Sequence, residues 1–120
     1  SRFVASPEAS SHELFKKWVV DAKEGDTQLT LKELAPVRLL KNKFFNDIQK
    51  AYASGATKEE LMKLLGRARA KKGMFEGDME EGELEIGQVS GLIHNITPAA
   101  EIVRELMDEF HEAKAQMQEY

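Results

Sequence analysis

The sequence predicts a mainly α-helical chain. Three observations carry that expectation. Apolar residues recur at helical spacing in several stretches, and Ser/Thr-x-x-Glu capping boxes head two of them, Ser10 with Glu13 and Thr57 with Glu60. One short run, around Leu29 and Leu31, alternates as a strand does. The length, 120 residues, suits one small domain that can bury a core of its own.

The chain opens on SRFVAS, which reads as the end of a β-strand entering a turn. With no methionine first and an apolar segment already under way, it is expected to be a segment of a longer chain. Ser10 caps a first helix, or Ser6 does with Pro7 in its first turn. Leu14, Phe15, Trp18, Val19 and Ala22 fall on one stripe of that helix. Gly25 and Asp26 end it. The stretch TQLTLKELAPVRLL is expected to be an extended connection, because Pro36 limits pairing. A second helix follows from about Leu39 to Ala53, with Leu40, Phe44, Ile48 and Tyr52 near one face. The third begins at Thr57, carries Leu61, Leu64, Leu65 and Ala68, and stops at Gly73. MFEGDMEEGELE reads as a loop. A short helix spans Gly87 to Ile93. Thr97 caps the last helix, with Pro98 in its first position and Ile102, Val103, Leu106, Phe110, Ala113 and Met117 down one side.

Composition excludes several functions. There are 17 Lys and Arg against 21 Asp and Glu, a formal charge of -4, which argues against general nucleic-acid binding. No cysteine is present, so disulfides, thiolate metal sites and a cysteine nucleophile are excluded; a reducing, cytoplasmic setting is expected. No apolar run approaches the roughly 20 residues of a membrane span, and no membrane partner is expected.

Few residues suggest chemistry by spacing alone. His12, His94 and His111 are dispersed, without a second ligand at metal spacing, and read as surface histidines. Glu76, Asp78, Glu80, Glu81, Glu83 and Glu85 cluster, but Asp78, Glu80 and Gly82 echo a calcium loop only in part; a solvated acidic loop and no metal site are expected. Arg67, Arg69, Lys71 and Lys72 suit either a phosphate or the negative end of a helix dipole, and the dipole is preferred. Gly87 and Gly91 pose the sharpest question. Each costs a helix roughly 1 kcal/mol relative to alanine, and four residues apart they share one face. Either a ligand or another helix comes close to that bare face.

Two blocks carry a resemblance. Ser1, Arg2 and Phe3 match the last three positions of a Gly-Thr-x-Phe motif, with serine in place of threonine, and Glu8 and Ala9 follow as they do there. Pro36, Val37 and Arg38, then Gly77, Asp78, Gly82, Gly87, Gln88, Gly91, Leu92 and Ile93, match a second, C-terminal pattern. In these blocks the chain resembles the flavin-dependent nitronate monooxygenases, formerly 2-nitropropane dioxygenases, and their relatives the type II enoyl-acyl-carrier-protein reductases.

The resemblance implies an FMN-binding (β/α)8 TIM barrel with a helical part over its mouth. Residues 1–35 would then be the end of the barrel and residues 36–120 the C-terminal helical segment. The catalytic histidine would lie upstream, so this chain contributes no catalytic residue. Ser1 and Arg2 would help hold the FMN phosphate, while Gly87, Gln88, Ser90 and Gly91 would face the active-site mouth. Partners would be the rest of its own barrel, a small-molecule substrate and, for enoyl reduction, a nicotinamide cofactor. The chain alone is expected to hold no FMN. It is also expected to self-associate through Leu14, Phe15, Trp18 and Val19, whose cover would be the missing barrel. Nitronate oxidation is slightly preferred to enoyl reduction, and a non-catalytic helical interaction module is the rival of another class.

Overall fold

The computed structural model describes residues 1–119; Tyr120 lies outside the described residues. The chain is largely helical, as its patterning predicts, with one small sheet at the centre. The first residues form no strand end. Phe3–Ala5 is a 3-10 turn in which the Val4 amide donates to the Ser1 carbonyl at 3.2 Å and the Ser6 hydroxyl to the Phe3 carbonyl at 2.7 Å. Neither described strand pairs with these residues, and the amides of Val4, Ala5 and Ser6 donate within the turn itself.

Helix α1 (Glu13–Asp21) is capped by His12, whose Nδ1 accepts from the Leu14 amide at 3.1 Å. The expected serine caps are displaced. Ser11 instead donates to the Val4 carbonyl at 2.8 Å, which ties the opening turn to the helix. Phe15 and Val19 are buried and Trp18 packs against them, so most of the stripe expected to drive self-association is covered by the chain itself.

The connection from Thr27 to Leu40 is a β-hairpin rather than an extended linker. β1 (Thr27–Thr30) pairs antiparallel with β2 (Val37–Leu40), from Thr27 opposite Leu40 to Thr30 opposite Val37. Pro36 does not prevent this because it lies in the loop, one residue outside the ladder, where its missing amide costs no pairing. The ladder crosses the expected division at residues 35 and 36. Residues 84–86 run along the other edge of β2, where the Leu40 amide donates to the Leu84 carbonyl at 2.9 Å and Leu39 bridges Glu85.

Alternation along β2 divides the interior. Leu40 enters a core with Phe15, Val19, Leu84, Ile86 and Ile93, while Leu39 enters a second core with Leu31, Phe44, Phe45 and Ile48. Helix α2 (Lys43–Ala53) starts four residues later than its apolar pattern suggests, because Leu39 and Leu40 belong to the strand and Asn42 is the cap. The expected third helix is two. α3 (Lys58–Leu65), capped by Thr57, stops at Gly66, whose φ of 63° leaves the helical region. α4 (Arg69–Met74) follows after one turn of chain.

The glycine-bearing segment is a 3-10 turn, Gln88–Leu92, packed on α1. Helix α5 (Ala99–Gln118) has Pro98 at its cap position. Thr97 is not the cap; Glu8 supplies one from a distance, its carboxylate accepting from the Ala99 amide at 3.0 Å. Only Ile102 of α5 is buried, leaving Val103, Leu106, Met107, Phe110 and Met117 exposed. The longest exposed apolar stripe lies on α5, while on α1 Leu14 remains exposed. No helix among the described residues is long and apolar enough to cross a membrane.

Candidate functional site

The fold brings the first residue against the glycine turn. A Cβ added to Gly87 would stand 3.3 Å from the Ser1 hydroxyl, so the two groups expected at different parts of a flavin site are neighbours. Gly87 and Gln88 are exposed beside it. The guanidinium of Arg2 is engaged elsewhere: Nη2 donates to the Glu109 carboxylate of α5 at 2.9 Å, while Nη1 is buried without a partner among the described residues. The side chains of Ser1 and Arg2 thus serve different surroundings.

Gly91 does not present an open face. A Cβ there would come 3.2 Å from the Lys23 carbonyl carbon and the Glu24 amide, so the connection after α1 occupies the space. Nor do Gly87 and Gly91 share the face expected of an α-helix, because the 3-10 turn advances by three residues per turn. Ser90, expected to offer a polar group at the mouth, is wholly buried, and its hydroxyl has no partner among the described residues. Of the four expected mouth residues, Gly87 and Gln88 are the ones at the surface.

The other expected clusters resolve into structural roles. Asp78 Oδ1 accepts from the amides of Glu80 and Glu81, and those bonds hold its carboxyl below the usual range, the Glu81 amide foremost. No metal-holding group of residues occurs among the described residues. Glu83 is the exception to a solvated acidic loop. It is buried, and burial with the nearby Glu85 carboxyl pushes it up to about 7. Arg69 closes the end of α3: its Nε and Nη2 donate to the carbonyls of Leu65 and Leu64 at 2.8 and 2.9 Å, and Nη1 to the Glu81 carbonyl at 2.8 Å. The helix-end reading of the basic cluster holds for Arg69, but the helix served is the preceding one, not the one in which Arg69 stands. His12 caps α1, and His94 and His111 are exposed.

A residue not singled out by spacing also matters. Arg38 lies mid-strand in the apolar run VRLL and opens into a groove between the hairpin and the glycine turn, with Thr27, Gln88 and Gly91. An arginine interrupting an apolar strand is the signal that marks it.

The family model described as nitronate monooxygenase matches residues 1–109. The chain belongs to that family. Among solved structures, FabK from Thermotoga maritima is similar with a TM-score of 0.84 and 31% identity, over 98% of this chain and 37% of that one. A point mutant of the same FabK gives a TM-score of 0.80 and 30% identity, over 98% of this chain and 35% of that one. The chain thus spans about a third of the length of those structures. No curated protein matches.

Nitronate monooxygenase family members are FMN-dependent oxidoreductases with a TIM barrel; these residues alone form none. A side chain at position 87 would crowd the Ser1 hydroxyl, and glycine leaves it clear.

Proposed function

We propose that the chain is the C-terminal part of an FMN-dependent oxidoreductase, cytoplasmic, in which residues 1–35 complete the barrel and residues 36–120 lie over its mouth. The near-complete family match carries this reading. Ser1 and Arg2 help hold the FMN phosphate; Gly87 keeps the approach clear and Gln88 stands at the rim. FMN supplies the redox chemistry; these residues bind and orient it. The exposed stripe of α5 takes the rest of its own barrel as its cover.

The first activity we assign to the whole protein is nitronate oxidation. Enoyl-thioester reduction, with a nicotinamide cofactor, is the second reading, and the likeness to FabK favours it. Purified full-length protein would be assayed for bound FMN, for oxygen consumption with an alkyl nitronate, and for nicotinamide oxidation with an enoyl thioester. FMN with either activity supports the proposal and selects the substrate class. A colourless, inactive full-length protein overturns it in favour of a helical interaction module. Ser1→Glu should lower the flavin content of the full-length protein; unchanged content would remove Ser1 from the phosphate site.

A further inference from the structure

Lys16 stands on α1 and is only 5% exposed, a rare degree of burial for a lysine. Its Nζ reaches back to the turn that precedes the helix, where it donates to the Ala9 carbonyl at 2.9 Å and to the Pro7 carbonyl at 3.4 Å. Hydrogen bonds from a charged donor are stronger than those between neutral groups, and a buried setting strengthens them further.

From Ala9 a short run of hydrogen bonds leads back to the first residue. The Ala9 amide donates to the Ser6 carbonyl at 3.2 Å. The Ser6 amide and hydroxyl both donate to the Phe3 carbonyl, at 3.1 and 2.7 Å. The Val4 amide donates to the Ser1 carbonyl at 3.2 Å. Two consecutive turns, 1–6 and 6–9, thus join Ser1 to α1, and Lys16 is the helix residue that fixes the second. The two carbonyls it holds also flank Glu8, whose carboxylate accepts from the Ala99 amide at the start of α5 at 3.0 Å. Fixing residues 7 and 9 leaves the residue between them little freedom. Lys16 therefore supports the Ser1–Arg2 turn on one side and the cap of α5 on the other.

We propose that Lys16 is a positioning residue for the FMN phosphate: it acts through the turn that carries Ser1 and Arg2. This inference rests on the assignment of the phosphate to those two residues. A binding group needs neighbours that lock its geometry, and loss of that support weakens the contact it makes. The part of the flavin that should feel the loss is the phosphate, so the effect is specific to one end of the cofactor.

The test compares FMN with riboflavin, which lacks the phosphate, by flavin fluorescence titration of the full-length apoprotein. The parent should bind FMN the more tightly. Lys16→Met should weaken FMN by about tenfold or more and change riboflavin by no more than about twofold. Lys16→Arg keeps a charged donor and should restore most of the FMN affinity; Lys16→Gln carries the same comparison if the methionine variant does not fold. In the 120-residue chain without flavin, Lys16→Met should move the amide NMR resonances of Ser6, Ala9 and Ala99. Equal losses for FMN and riboflavin, an unchanged FMN affinity, or unmoved resonances at Ser6 and Ala9 would overturn the proposal. A parent with no preference for FMN over riboflavin would overturn the phosphate assignment itself; it is read before any substitution, so the two failures are distinct.

Discussion

Gly73 on α4 and Gly82 in the acidic connection stand backbone to backbone. A Cβ on Gly73 would lie 2.9 Å from the Gly82 Cα and 2.6 Å from Leu84 Cδ2, and one on Gly82 would collide with the Gly73 backbone itself. Neither residue has a positive φ, so close approach and not backbone conformation requires the glycines. Their contact holds α4 against the segment that leads into residues 84–86, beside β2.

Gly82→Ala is therefore expected to destabilise the chain more than an ordinary surface substitution. The nearest atoms are backbone and cannot rotate away. Overpacking costs about 1–3 kcal/mol where the surroundings can shift, and the upper end applies here. Denaturant unfolding measures it; an unchanged midpoint would show that α4 moves aside freely.

Asn42 joins three segments. Its Oδ1 caps α2 by accepting from the Phe45 amide at 2.9 Å, and its Nδ2 donates to the carbonyls of Met79 and Gly82 at 2.8 and 2.9 Å. Asn42→Ala removes the cap and leaves two buried carbonyls unpaired, a loss of roughly 2–4 kcal/mol. Asn42→Asp retains a cap acceptor but sets a carboxylate against two carbonyl oxygens. It should be no better than alanine at neutral pH, although aspartate is a good cap in general. Thermal unfolding of both variants decides whether the donors matter as much as the cap.

Glu83 makes stability depend on pH. Its folded value, about 7, lies above its ordinary value of 4.5. The folded state therefore holds the proton more tightly than the unfolded one. The resulting stabilisation is fully present below about pH 4.5 and is lost as pH rises through about 7. Glu83→Gln stays neutral, so it should match the parent near pH 4.5 and exceed it at pH 8. Parallel stability curves across that window would show that Glu83 ionises without cost.

The two glycines of the 3-10 turn should separate. Gly91→Ala presses on the Lys23–Glu24 backbone and should lower the melting temperature of the chain. Gly87→Ala meets the Ser1 hydroxyl at an exposed position and should be nearly neutral for folding. In the full-length protein the order should reverse for flavin content, with Gly87→Ala the more harmful. Loss of stability at Gly87 equal to that at Gly91 would reduce both to packing.

Local signals in the sequence determined most of the helices and the family. Apolar spacing and the Thr57 cap locate α1, α2, α3 and α5 because those features act within a few residues of one another. The hairpin was not legible, since β1 and β2 are stabilised by each other and by residues 84–86, and no local pattern encodes that meeting. His12 and Glu8 displaced the expected caps because tertiary packing set where α1 and α5 begin. Only the fold decided that Gly87 meets Ser1 while Gly91 meets the chain after α1, that Ser90 is buried, and that Arg38 opens into a groove. Each of those facts depends on which distant segment occupies a given space, and that is fixed by packing of the whole chain.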